Sequence, residues 1–225
     1  MKEKIEKGEW QPGEMIPSER ELAETYDISR MTVRQAVNNL VNDGYLVRRR
    51  GKGTFVAAKK IEQPLKGLTS FSEDMRARGM EPDTVVLGFE TVPASKKLAE
   101  WLAVKEGDAL YEIRRLRLAD GSPMALETLY IPCALAPHLT REIVNGSVYE
   151  FMEKEVGLAI GTAVQVIEPS VARKLEVEHL QVKEGAPVLL LERRTYLTDG
   201  RPLEVVKSVY RGDRYKFIVE MERRK

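Results

Sequence analysis

From residue 29 to residue 43 apolar positions recur at helical spacing. Val33, Ala36, Val37, Leu40 and Val41 make one stripe, while Arg30, Thr32, Arg34 and Gln35 fall in the first turns, largely away from it. Ser29 stands where a hydroxyl can accept from a free first-turn amide. A shorter helix is predicted just ahead, opening at Pro17-Ser18-Glu19-Arg20-Glu21-Leu22-Ala23. Ser18 and Glu21 have capping-box spacing, and Leu22, Ala23 and Tyr26 supply an inner face. Only the turn Tyr26-Asp27-Ile28 separates the two. After Asp43-Gly44, a helix stop, the pattern changes to two short strands, Tyr45-Leu46-Val47-Arg48-Arg49-Arg50 and Thr54-Phe55-Val56. Between them lies Gly51-Lys52-Gly53, a basic tip without side-chain bulk at its glycines.

The rest of the chain carries a duplicated pattern. Leu102-Ala103-Val104-Lys105-Glu106-Gly107 recurs as Leu180-Gln181-Val182-Lys183-Glu184-Gly185. Arg114-Arg115-Leu116-Arg117-Leu118-Ala119-Asp120-Gly121-Ser122-Pro123-Met124 recurs as Arg193-Arg194-Thr195-Tyr196-Leu197-Thr198-Asp199-Gly200-Arg201-Pro202-Leu203. Each copy reads as helix, glycine turn, strand, Asp-Gly turn and strand, and Asp-Gly between alternating strands signals a hairpin. Two related hairpins in one antiparallel sheet, with helices packed on it, give an α+β class. Related halves tend to leave a crevice between them. Residues 58–66 lack clear periodicity and contain a proline, so they read as a linker. The expected division is residues 1–57, linker 58–66 and a larger domain 67–225.

Composition narrows the function through distribution rather than totals. With 36 Lys and Arg against 35 Asp and Glu, the net charge is only +1. Residues 1–60 hold twelve basic and nine acidic side chains, the excess lying almost wholly between Arg48 and Lys60. Helix, short turn, helix and basic hairpin in one stretch is the pattern of a winged reading head for DNA. Arginine can grip guanine bidentately in the major groove, and threonine can meet a base edge or a thymine methyl. One cysteine, Cys133, excludes an internal disulfide and fits a reducing cytoplasm. His138 and His179 are far apart and lack neighbouring ligand types, so no metal or cofactor is expected. No run of about 20 apolar residues predicts a membrane span.

The larger domain offers an anion site. Arg115 and Arg117 are two apart on a predicted strand and share a face with Tyr111 and Ile113. Two cations among apolar neighbours call for an anion, either a ligand phosphate or Asp and Glu across the sheet. Helices are predicted to start at Thr69-Ser70-Phe71-Ser72-Glu73-Asp74 and at Gly146-Ser147-Val148-Tyr149-Glu150, each with capping-box spacing. Their free amides attract anions, or they are ordinary capped surface helices. Glu127 and Glu204, on the second strand of each hairpin, can accept from hydroxyls or an amine, or pair with the arginines.

The N-terminal motifs, together with Ser29-Arg30-Met31-Thr32-Val33-Arg34-Gln35-Ala36, closely resemble the winged-helix domain of GntR-family bacterial regulators. Leu68-Thr69-Ser70-Phe71-Ser72-Glu73-Asp74-Met75, Ile113-Arg114-Arg115-Leu116-Arg117-Leu118-Ala119 and Ser208-Val209-Tyr210-Arg211-Gly212-Asp213-Arg214-Tyr215 resemble the UTRA effector domain of the HutC subfamily. The resemblance is greatest to repressors of N-acetylglucosamine utilisation. It implies a chorismate-lyase-like fold for the second domain. It also implies that Arg115, Arg117, Ser147, Tyr149 and the amides around Phe71 and Ser72 hold the phosphate of an amino-sugar 6-phosphate. Glu127, Glu204 and Tyr210 would contact the sugar. On the DNA side it implies contacts from Ser18, Arg20, Arg30, Met31, Thr32, Arg34, Gly51, Lys52 and Gly53. Relatives usually carry a longer first helix, whereas residues 1–7 leave under two turns and are expected to supply little apolar stripe. The expected protein is a cytoplasmic, homodimeric, effector-controlled repressor on a near-palindromic operator. The alternatives are a chorismate-lyase-like enzyme, for which no nucleophile–base pair is visible, and a DNA-binding module whose second domain only dimerises.

Overall fold

The computed structural model describes residues 1–49, 51–57, 60–65 and 67–223. Arg50 of the basic hairpin and Ala58, Lys59 and Lys66 of the expected linker lie outside the described residues. The chain forms two compact units that divide between Glu62 and Gln63.

The first unit runs α1 (Lys2–Glu6), α2 (Glu19–Tyr26), α3 (Arg30–Asn42), β1 (Leu46–Arg49) and β2 (Gly53–Val56). The serine caps form as their spacing predicts. Ser18 and Glu21 close a capping box on α2, and the Ser29 hydroxyl accepts from the Thr32 amide on α3. Val33, Val37 and Leu40 pack with Leu22, Ala23, Ile16, Leu46 and Val56 into one core. Tyr26, expected on the inner face of α2, is 40% exposed, because Leu22 and Ala23 already fill the contact with α3. Residues 1–10 supply more than expected: Met1, Ile5 and Trp10 pack half-buried against this core although α1 has only five residues. β1 and β2 pair antiparallel from Leu46↔Val56 to Arg49↔Gly53. Met15 forms a single bridge to Phe55, and backbone hydrogen bonds from the Ile16 amide to Thr54 and from the Val56 amide to Glu14 lay the segment before α2 along β2.

The segment read as a linker contains β3 (Ile61–Pro64), which pairs with β10 (Tyr215–Ile218) at the far end of the chain. Local periodicity cannot reveal a pairing partner about 150 residues away. Between them come α4 (Phe71–Ala77), β4 (Pro82–Pro93), α5 (Lys96–Leu102), β5 (Ala109–Ala119), β6 (Ser122–Pro132), α6 (Val148–Lys154), β7 (Ile160–Val171), α7 (Lys174–Leu180), β8 (Pro187–Leu197) and β9 (Pro202–Arg211). Six strands form one antiparallel sheet in the order β4-β5-β6-β9-β8-β7. The duplication is therefore larger than the sequence runs suggested. Each half is strand, helix, strand, hairpin, strand, and the halves meet where β6 pairs with β9. α5 packs on one face, over Leu110 and Val205. The other face carries Ile113, Leu129, Ile131 and Val206 under α6, with Val148 and Met152 closing the core.

The two Asp-Gly turns differ. Asp120 and Gly121 both take left-handed backbone, and Ala119 pairs with Ser122 across a two-residue loop. In the second copy, of the turn residues only Gly200 is left-handed, and the Leu197 amide donates to the Arg201 carbonyl across a three-residue loop. One extra turn residue shifts the pairing by one position, and a shift by one reverses which face a side chain meets. Arg114 and its sequence counterpart Arg193 accordingly lie on opposite faces of the sheet.

Candidate functional site

The α6-covered face holds a cavity of about 50 Å³ where β5, β6, β9 and β8 meet the starts of α4 and α6. Alternation along the strands builds it. β5 contributes Arg115 and Arg117, β6 Glu127, β9 Glu204, Ser208 and Tyr210, and β8 Leu191 and Arg193. Ser70 and Phe71 enter from α4, and Ser147 and Tyr149 from α6. The capping hydroxyls Ser70 and Ser147 are 3.5 Å apart, so two helix starts converge on one point.

Both arginines are buried, Arg115 at 5% and Arg117 at 2% exposure. Each has a partner across the sheet. Arg115 sits directly opposite Glu127 in the register and its Nη2 lies 2.7 Å from the carboxylate. Arg115 Nη1 also donates to the carbonyls of Val144 at 2.9 Å and Gly146 at 3.2 Å. Arg117 reaches the same Glu127 oxygen at 3.6 Å, donates to Ser72 Oγ at 2.8 Å and lies 4.7 Å from the Phe71 ring centre. One carboxylate thus serves two guanidiniums, and the buried Nε of each arginine has no hydrogen-bond partner among the described residues. Burial lowers the Arg117 pKa to about 10, with Glu127 opposing the shift, so Arg117 remains a cation at neutral pH. Buried charge left incompletely satisfied is costly and marks a site that gains from an added anion.

Beyond Glu127 lies a second polar chain. Tyr149 Oη and Thr195 Oγ1 are 3.0 Å apart, and Thr195 Oγ1 donates to Glu204 Oε1 at 3.1 Å. Glu204 is 1% exposed, and its other oxygen has no partner among the described residues. Burial pushes the Glu204 carboxyl up, against the pull of the Tyr149 and Thr195 hydrogen bonds and of Arg193. Burial likewise raises Tyr149, and raises Tyr210 to about 12, so both keep their protons.

Of the nine residues expected at the effector site, eight line this cavity. Ser72 does not line it; its side chain is occupied by Arg117. Glu127, expected against a sugar, is engaged by the two arginines, the cross-sheet pairing that the strand geometry also allowed. Arg193 was missed. Its sequence counterpart, Arg114, faces outward to Glu90 and Glu112, and only the longer second turn reverses the facing.

In the first unit the exposed side chains of α2, α3 and the hairpin form a separate charged face. Arg30, Met31, Thr32 and Arg34 are exposed on the first turns of α3. Arg34 Nε donates to Glu19 at 2.9 Å, and Arg48 binds the other oxygen of Glu19 at 3.2 Å. Arg20 pairs with Glu24 along α2. Ser18 is committed to its cap. Gly51, Lys52 and Gly53 form the exposed tip, where both glycines take left-handed backbone. Arg49 lies over the Phe55 ring at 4.6 Å.

The UTRA domain family matches residues 77–216, and the gntR family of bacterial regulatory proteins matches residues 1–56. The chain is 46% identical over 223 residues to the HTH-type transcriptional repressor NagR of Bacillus subtilis, covering 99% of this chain and 92% of that protein. It is 33% identical over 224 residues to the mannosyl-D-glycerate transport/metabolism system repressor MngR of Escherichia coli, covering 100% and 93%. The crystal structure of PhnF from Mycobacterium smegmatis superposes with a TM-score of 0.71 at 32% identity, covering 95% of this chain and 94% of that one.

Proposed function

The chain belongs to the GntR family of bacterial regulatory proteins and carries a UTRA domain, and from that premise we propose that it is a transcriptional repressor controlled by a hexosamine 6-phosphate. The observation that carries the effector reading is the charge balance of the cavity. Three guanidiniums, of Arg115, Arg117 and Arg193, face two carboxylates, and burial holds one of those, Glu204, toward its neutral form. A phosphate dianion fits that surplus. It would sit at Arg115, Arg117, Ser147, Tyr149 and the amides of Phe71 and Ser72, where first-turn N–H groups have no helical partner. The free oxygen of Glu204, with Tyr210, would take the amine or hydroxyls of the sugar. Glu127 acts mainly by holding the two arginines apart and oriented.

On the DNA side, Arg30, Met31, Thr32 and Arg34 would enter the major groove. Ser18, Arg20 and the tip at Gly51, Lys52 and Gly53 would meet the backbone or adjacent groove. A two-fold dimer on a near-palindromic operator in the cytoplasm completes the reading, because one such head covers little DNA. The effector changes operator affinity only if it binds the DNA-competent and incompetent arrangements unequally. No nucleophile–base pair is visible among the described cavity residues, and the cavity's polar groups go to binding. A thermal-shift screen of sugar phosphates with operator anisotropy tests it. Stabilisation by hexosamine 6-phosphates, without turnover and with altered operator affinity, is expected. Turnover would favour the enzyme reading, and indifference to every phosphosugar a purely dimerising domain.

A further inference from the structure

We infer that Arg193 is the latch of the anion pocket: a positioning residue that pins the segment leading into α4 against the edge of the sheet. Its Nε donates to Gln165 Oε1 on β7 at 2.9 Å, and its Nη1 reaches the Thr69 carbonyl at 3.4 Å. Thr69 immediately precedes Ser70, the cap of α4, and Phe71, whose ring lies against Arg117. One guanidinium therefore joins β7, β8 and the loop that forms one wall of the pocket.

The cavities explain why that wall must move. The inner cavity, about 50 Å³, is too small for a hexose phosphate, since sites for such ligands occupy roughly 300–1,000 Å³. A second cavity of about 650 Å³ lies between the loop and β7, lined by Leu68, Thr69, Gly161 and Gln165. Arg193 lines both. The remaining walls are better anchored. Arg115 is held by Glu127 and two backbone carbonyls, and Arg117 by Glu127 and Ser72. Arg193 is held by neutral partners, the Gln165 amide, the Tyr149 hydroxyl and one long bond to the Thr69 carbonyl, with Glu204 acting from farther away and no carboxylate in direct contact among the described residues. It is the part of the enclosure that yields first, and its release joins the two cavities into a volume that accepts a phosphosugar. This rests on the proposed ligand only for what enters; the latch itself is a property of the ligand-free chain.

The test uses the full-length protein and the variants Arg193→Ala, Arg193→Lys and Gln165→Leu. Without ligand, amide exchange from Leu68 to Ser72 should quicken roughly tenfold in Arg193→Ala, the scale of one lost charged hydrogen bond. Gln165→Leu should quicken it less, and exchange in α5 and α7 should stay at the wild-type rate. In stopped-flow binding of glucosamine 6-phosphate, association should quicken in Arg193→Ala, because entry no longer waits on the latch. Arg193→Lys should fall between. Unchanged exchange at Leu68–Ser72 would overturn the latch, as would quickening spread over the whole sheet, which marks a general stabiliser. Faster dissociation with unchanged association would make Arg193 a ligand contact instead. If the wild type binds no phosphosugar, the proposed effector fails, and the exchange result still decides the latch.

Discussion

The two units handle charge in opposite ways. On the face proposed to read DNA the cations are exposed, and their partners are Glu24, on the surface, and Glu19, half-buried. Solvent screens such pairs, so they contribute about 0–1 kcal/mol and can be exchanged for phosphate contacts at little cost. In the cavity of the second unit, Arg115, Arg117, Glu127 and Glu204 are all under a tenth exposed. Their desolvation has already been met by folding, and each lost partner leaves a charge stranded. Exposed cations suit a ligand that is long, polyanionic and only partly desolvated. Buried cations suit a small dianion that must fit a fixed frame.

The largest break of this contrast comes from Arg115→Ala. It leaves Glu127 with only the longer Arg117 contact and the Val144 and Gly146 carbonyls without their donor, and should cost about 3–5 kcal/mol of stability in urea or thermal unfolding, besides weakening phosphosugar binding tenfold to several hundredfold. The triple replacement Arg115→Met, Arg117→Met and Glu127→Leu, which removes the whole buried charge cluster, should recover most of the stability and none of the binding. Recovery of binding as well would show that the cluster only holds the fold together.

Next come the reading-helix arginines. Arg30→Ala or Arg34→Ala should cost about 1–3 kcal/mol of operator affinity and relax the preferred sequence at one position, leaving unfolding within about 0.5 kcal/mol. Lys52→Ala should weaken all sequences alike and flatten the salt dependence by roughly 0.9 in the log–log slope. Site selection on each variant separates them, and an unchanged motif in Arg34→Ala would make Arg34 a phosphate contact at most.

The contrast also governs what was legible in the sequence. The first unit is organised locally. Caps, stripe and glycine tip lie within about 40 residues, whereas Tyr26, the contribution of Met1, Ile5 and Trp10, and the bridge from Met15 to β2 escaped. In the second unit, strand alternation was enough to place Arg115 with Arg117 and to offer Glu127 as their partner. Arg193 was hidden because a two-residue and a three-residue turn share the same Asp-Gly signature. β3 was hidden because its partner is β10, and pairing at that separation leaves no local period.

Glu204 gives a smaller, pH-dependent effect. Its carboxyl is raised in the folded state, so the native chain holds the proton more tightly than the unfolded one. That stabilisation is complete below the ordinary carboxylate pKa and is lost as pH rises through the folded value. Glu204→Gln should flatten the wild-type decline in melting temperature with rising pH above about 4.5. A parallel decline in the variant would show that other groups cause it.

Glu19→Gln should do least. It frees Arg34 and Arg48 and removes a carboxylate from the DNA-reading face, so operator affinity should rise by under about 1 kcal/mol, most visibly at low salt. A loss of affinity would mean that Glu19 positions the two arginines for DNA.

The most direct measurement is titration calorimetry of the wild-type chain with glucosamine 6-phosphate, N-acetylglucosamine 6-phosphate and the same sugars without phosphate. Saturable binding of at least one phosphorylated sugar, and at least tenfold weaker binding of its unphosphorylated counterpart, is expected from the surplus of buried cations. Equal affinity for the phosphorylated and free sugars, or heat from neither, would contradict an anion site at Arg115 and Arg117.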